Sequence, residues 1–203
     1  MSQTKQDTIA LIKTEILRTR DTMVAMSTDE ELMGTLAAVA DACVSALKAG
    51  GKVLFCGNGG SAADAQHLAG EFVSRFNFDR APLAGIALTV DTSVLTAIGN
   101  DYGYEHVFDR QVRGLGRAGD VLVGISTSGR SPNIVRAMET AKGMGMVTVG
   151  MTGNQRRAIE GVSTFCLRVP SGDTPKIQEG HIVLGHTLCG LVESMLFTPP
   201  AKS

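Results

Sequence analysis

The sequence has no CxxC pair, no run of basic residues and no apolar stretch near the ~18 residues that a membrane span needs, and each absence removes a class of function. Its four cysteines, Cys43, Cys56, Cys166 and Cys189, are scattered through apolar surroundings and read as buried free thiols in a reducing compartment. Lysine and arginine total 19 against 20 aspartate and glutamate, a formal net charge of -1, so nothing announces a nucleic-acid surface. Residues Met1 to Arg20 are polar and mixed in charge, which predicts no signal peptide. No internal repeat or low-complexity linker interrupts the chain, and only Thr198–Ser203 reads as a disordered tail. The expectation is a soluble cytoplasmic protein with neither a membrane nor a nucleic-acid partner.

What is present is enough apolar residue for a sizeable core: 43% of 203 residues. The pattern predicts one domain over 1–197, with a helical extension over about 1–50. Ile9, Ile12, Ile16 and Leu17 mark a first helix over 4–25. A second, about 28–49, starts at Ser27 or Thr28 as cap, carries acidic residues in its first turn, and ends at Gly50-Gly51. Strands are expected at 52–56, 84–88, 120–125, 146–151 and 163–168, with helices near 61–75, 92–98, 104–114, 132–143 and 175–197. The strands are continuous apolar runs, as in Val121-Leu122-Val123-Gly124-Ile125, which is the pattern of strands buried on both faces. This predicts an α/β fold: a three-layer, doubly wound, five-stranded parallel sheet of flavodoxin-like type with N-terminal helices. The first helix has no strand to cover, so it either packs on another subunit or closes one end of the core.

Chemistry concentrates at two turns. Gly57-Asn58-Gly59-Gly60-Ser61 follows the first strand and opens a helix, a backbone anion site reinforced by the helix dipole. His67 and Glu71 stand four residues apart on one face of that helix. After the central strand comes Ser126-Thr127-Ser128-Gly129-Arg130-Ser131, with Pro132 suited to the first turn of the next helix. Ligands of open parallel sheets bind at that edge. The plainer readings are that Ser131 caps its helix while the other hydroxyls satisfy the turn, and that His67 is a helix histidine bonded to a neighbour. Together, a phosphate cradle and proton-transfer groups in one strand-turn-helix unit point to an enzyme acting on a phosphorylated small molecule.

The hydroxyl-rich turn resembles the phosphosugar-binding turn of sugar isomerase (SIS) domains. Gly57–His67 (GNGGSAADAQH) is similar to the phosphoheptose isomerase group, as are Ala97–Gly103 (AIGNDYG), Arg168-Val169-Pro170 and Thr174–Glu179 (TPKIQE). The likeness runs from about residue 30 to 197. It implies that substrate is held by Asn58, Gly59, Gly60 and Ser61, by Asn100 and Asp101, by Ser126, Thr127, Ser128 and Ser131, and by Glu71 and Gln178. It implies Glu71 and His186 as the acid–base pair, and one zinc ion per subunit on His67, Glu71, Gln178 and His186. The implied reaction converts sedoheptulose 7-phosphate to D-glycero-D-manno-heptose 7-phosphate through an enediol, with no redox cofactor, for bacterial heptose and lipopolysaccharide precursors. Gly70, Arg130 and Gln155-Arg156-Arg157 depart from the family pattern.

That reaction needs a base on carbon, a donor or Lewis acid at the oxygens, and a phosphate grip. Full ligation of a metal would blunt the basicity of Glu71, so its two implied roles are in tension. Gln178 and His186 are eight residues apart, about 12 Å on a straight helix, which makes one ion hard to share within one copy. With the apolar face of 177–196, this predicts a homo-oligomer, in family terms a tetramer, with sites between subunits. His181 and His106 read as packing histidines outside the site. Two other readings stand: a non-catalytic DnaA initiator-associating protein of the same fold, and an isomerase of another sugar phosphate. The first is disfavoured because that group lacks the residues corresponding to Glu71 and His186.

Overall fold

The structure, a computed structural model, describes residues 4–199. Two helices lead, α1 (Lys5–Ser27) and α2 (Glu30–Lys48), followed by β1 (Val53–Gly57) and α3 (Gly60–Val73). Next come β2 (Gly85–Ala87), α4 (Thr92–Tyr102), a 3-10 turn (Tyr104–His106) and α5 (Asp109–Leu115). The chain closes with β3 (Val121–Ile125), α6 (Pro132–Gly143), β4 (Val147–Thr152), α7 (Ala158–Val162), β5 (Phe165–Arg168) and α8 (Thr174–Leu196). The sheet is wholly parallel in the order β2-β1-β3-β4-β5, the doubly wound arrangement expected.

Alternate side chains of each strand feed opposite layers, because the strand period is two. Val53 and Phe55 join Val121, Val123 and Ile125 beneath α2, α3 and α8. Leu54, Cys56 and Leu122 join Ile134, Met138 and Ile159 on the other face. Both faces are thus dry, which is why the strands read as unbroken apolar runs. The chain order changes direction between β1 and β3, so the turns that follow those two strands flank the switch point where ligands bind.

Several local readings differ from the sequence expectation. Asp29, not Ser27 or Thr28, caps α2, its carboxylate accepting from Leu32 N at 3.0 Å. The Thr28 hydroxyl turns back to the Val24 and Ala25 carbonyls instead. The helix expected over 104–114 is a 3-10 turn and a separate α5, and α7 lies where the sequence pattern marks no helix. Of the expected tail, residues 200–203 lie outside the described residues, and Thr198 and Pro199 belong to no helix or strand. All four cysteines are free. Burial pushes the thiols of Cys43, Cys56 and Cys189 up to about 12, far from thiolate chemistry. Among the described residues no helix is long and apolar enough to cross a membrane.

Helix α1 buries only Thr22 and Met26. Its end is tied to α8 by Arg18 to Asp173 at 2.7 Å, and by Lys176, whose Nζ reaches Thr19 at 2.9 Å and Glu179 at 2.9 Å. Ile9, Leu11, Ile12, Ile16 and Leu17 stay exposed, at 43–64% of their surface.

His181, read as a packing residue, lies fully buried in α8 with Nε2 3.2 Å from the Thr152 carbonyl. Burial drives its pKa down to about 4, only partly opposed by that hydrogen bond. The folded state therefore holds a neutral ring, while an unfolded chain takes up a proton near the ordinary histidine value of ~6.5. Stability should fall as pH drops from about 6.5 towards 4, by up to about 3 kcal/mol from this residue. Denaturant melts of the wild type and of His181→Gln across that range should show a markedly flatter acid limb in the variant.

Candidate active site

The glycine-rich turn is shaped by close approach. A Cβ at Gly57 would collide with the Ser61 carbonyl, and Gly59 sits at φ 56°, where other residues are strained. The turn closes through Ser61 N to Asn58 O at 3.0 Å and Ala62 N to Gly59 O at 3.0 Å. No side chain caps α3, and the Ser61, Ala62 and Ala63 amides are taken up by the Asn58 and Gly59 carbonyls, which leaves the positive end of the helix dipole at this turn. Ser61 itself is buried beneath the turn.

At the second turn, Ser126 Oγ lies 3.0 Å from Ser131 Oγ and 3.5 Å from Ser128 Oγ. Ser131 occupies the cap position of α6 without capping it, its hydroxyl instead joining this cluster. Gly129, at φ 62°, lets the turn press against Arg157 and Thr152. The two turns are locked together by a reciprocal amide pair: Asn58 Nδ2 to Asn133 Oδ1 at 2.9 Å, and Asn133 Nδ2 to Asn58 Oδ1 at 2.8 Å. Tyr104 donates to the same Asn58 oxygen at 3.1 Å. With its side chain so engaged, Asn58 offers a ligand chiefly its backbone. Cavities flank the turn on both sides: one of about 520 Å³ lined by Asn58, Ser131 and Arg136, and one of about 230 Å³ lined by Ser128, Arg130 and Arg157.

The titratable residues gather elsewhere, between α3 and α8. His67 and His186 bring their Nε2 atoms to 2.7 Å, so one ring donates and the other accepts. Glu71 Oε1 is 3.4 Å from the same His67 nitrogen, and Phe76 stacks beside His186 with ring centroids 5.6 Å apart. Asp64, one turn before His67, was not singled out by sequence, although 64, 67 and 71 share a helix face. Its Oδ2 is buried with no hydrogen-bond partner among the described residues. Burial raises its pKa, and nearby His67 and His186 oppose that shift.

Two imidazoles and a carboxylate are donors of the kind zinc takes. Gln178, however, rests against Gly60 at the other end of α3, its Nε2 2.5 Å from where a Cβ would stand. The four expected ligands thus occupy two levels of one copy. Among the described residues no three His, Cys, Asp or Glu side chains are arranged to hold an ion, so one chain presents an open donor set, not a closed cage. Asn100 and Asp101 are exposed at the end of α4, hydrogen-bonded to each other at 2.8 Å, and no hydrogen bond among the described residues joins them to the turns.

The SIS domain family model matches residues 11–153. The phosphoheptose isomerase of Burkholderia pseudomallei is 59% identical over 189 residues, covering 93% of this chain and 96% of that protein. The chain belongs to the phosphoheptose isomerase family of SIS-domain proteins. Solved phosphoheptose isomerases share its shape. That from Francisella tularensis superposes with a TM-score of 0.88 at 36% identity, covering 92% of this chain and 98% of its own. That from Neisseria gonorrhoeae gives 0.81 at 43% identity, covering 94% and 100%.

In this member of the phosphoheptose isomerase family, the glycines of the first turn differ in what they tolerate. Gly57→Ala meets backbone and should lower stability by about 1–3 kcal/mol, the usual cost of overpacking. Gly60→Ala meets only the flexible end of Gln178 and should leave the denaturation midpoint within about 0.5 kcal/mol of wild type while displacing Gln178.

Proposed function

We propose that this protein interconverts sedoheptulose 7-phosphate and D-glycero-D-manno-heptose 7-phosphate in the cytoplasm, supplying heptose for envelope glycans such as lipopolysaccharide core. The observation that carries this is the solvent-open cluster of His67, Glu71 and His186, side chains able to take and return a proton, in a chain that also has two anion-binding turns. A DnaA-associating role would leave that cluster without a purpose.

In this mechanism the turn of Ser126, Thr127, Ser128 and Ser131, with the amides of Gly59 and Gly60, grips the phosphate. The Glu71 carboxylate removes a proton from C1 of the ketose, the new electron pair forms the C1–C2 double bond, and the C2 oxygen takes up a proton. His186, having given its proton to the C2 oxygen, takes the C1 hydroxyl proton as the aldehyde forms, and the Glu71 carboxyl returns a proton to C2, which leaves both groups in their starting states. Such positioned groups are each worth ~10²–10⁴ in rate. His67, Glu71 and His186 have the donor chemistry for zinc without forming a cage in one copy; completed in the oligomer they would hold an ion that, when bound, supplies Lewis-acid polarisation of the substrate carbonyl.

Geometry favours a shared site. Because β1 and β2 are parallel, α3 runs back from the ligand edge of the sheet. Glu71 lies eleven residues beyond Gly60, about 16 Å along the helix axis. An extended seven-carbon sugar spans only about 10 Å from phosphorus to C1 at ordinary bond lengths. The phosphate turn of one copy is therefore served by the acid–base pair of another, in an oligomer, by our reading a tetramer, built on the apolar face of α1. We expect Glu71→Gln to fold and bind phosphate while kcat falls at least 100-fold. Refolding it with an inactive Ser126→Ala/Ser128→Ala variant should restore about one quarter of wild-type activity, the fraction of mixed sites with both halves intact. No recovery would confine each site to one chain. Metal analysis of the dialysed oligomer should find zinc, and His67→Ala should lose it.

A further inference from the structure

Arg80 and Glu193 form an ion pair with side chains 3% and 0% exposed, far from either phosphate turn. A buried pair of this kind adds little net stability compared with a well-packed apolar pair, so its directional bonds call for a reason. Those bonds converge on the ends of the segments that hold the acid–base pair. Arg80 Nη2 donates to the carbonyl of Glu71 itself at 2.8 Å, and Nη1 donates to the carbonyls of Phe72 at 2.7 Å and Ser74 at 3.2 Å. These groups sit in the last turn of α3, where carbonyls lack helical partners and a cation is favoured by the dipole. Arg80 Nε donates to Glu193 Oε1 at 3.1 Å, and Glu193 also accepts from Phe76 N at 2.9 Å and Asn77 N at 2.7 Å. Phe197 covers the guanidinium, 5.7 Å from its ring centre.

Glu193 lies seven residues after His186, on the same face of α8. The segment it grips carries Phe76, whose ring lies against the His186 imidazole. One ion pair thus fixes the backbone that bears Glu71 and sets the ring packed on His186. Burial would raise the Glu193 carboxyl, but the two amides and Arg80 outweigh it and hold the group below its ordinary range.

We infer that Arg80 and Glu193 are positioning residues that hold Glu71 and His186 in register for proton transfer, an assignment resting on the acid–base reading above. The clamp stands at the opposite end of α3 from the phosphate turns, so its loss should strike the chemical step and spare binding. Arg80→Lys and Glu193→Gln test this, with kinetics expressed per folded molecule. The paired variant Arg80→Met/Glu193→Leu removes the directional bonds while avoiding an unpaired buried charge.

The expected result in all three is kcat lowered at least 10-fold with KM within about twofold, and a larger isotope effect with ketose deuterated at C1, as proton transfer becomes rate-limiting. In a Glu71→Gln background, Arg80→Lys should add less than about threefold, because the group it positions is already gone. Wild-type kcat in any folded variant would overturn the inference. So would an equal loss with and without Glu71, which marks general damage. Should Glu71→Gln alone keep full activity, the base assignment fails, and the inference falls with it for that separate reason.

Discussion

Helix α8 lies along α3 in parallel, at distances only glycine permits. Gly185 packs over Leu68, Gly190 sits by Phe76, and Gly60 accepts the end of Gln178. A Cβ at Gly185 would come within 2.6 Å of a Leu68 methyl, so this approach fails with any larger residue there. Everything reactive follows from it. The close approach brings His186 to His67, sets Gln178 at the glycine-rich turn, and lets a single buried ion pair span both helices. It also divides the expected ligands into two levels, because residues eight apart on one helix cannot meet at one point of its parallel neighbour.

The two halves of the chemistry are held by different means. The two turns are tied by local backbone bonds and joined to each other by the Asn58–Asn133 amide pair. The cluster of His67, Glu71 and His186 is open: about half of the His67 side chain and about a quarter of the Glu71 side chain face solvent. An exposed imidazole–carboxylate pair works poorly in water, since its charges are screened and its protons exchange freely. Cover from a second copy would exclude that water, which agrees with the apolar face left open on α1.

Much of the fold is legible in the sequence because it rests on local rules. Strands buried on both faces must be apolar throughout, and Gly50-Gly51, Gly57–Gly60 and Pro132 mark their turns where the backbone demands them. The segments that escape are those decided by one contact. Asp29 takes the cap of α2 because Thr28 is drawn back to α1, and the expected 104–114 helix is interrupted at Val107-Phe108, between the 3-10 turn and α5. Helix α7 spans only Ala158–Val162, too short for a periodicity to register. In the site, His67, Glu71 and both turns are readable from spacing. Asn133 and Tyr104 matter through contacts 75 and 46 residues away in sequence, and Arg80–Glu193 through one of 113, and no pattern within a window carries such pairings.

The proposed reaction moves a proton between adjacent carbons of a seven-carbon sugar phosphate. The direct test is NMR of the purified protein with sedoheptulose 7-phosphate in D₂O. The expected result is accumulation of the aldose with solvent deuterium at C2, the mark of a proton released to a base and returned. Ketose left unchanged by well-folded protein would contradict the activity, and aldose carrying only the original hydrogen from C1 would contradict the exchanging carboxylate.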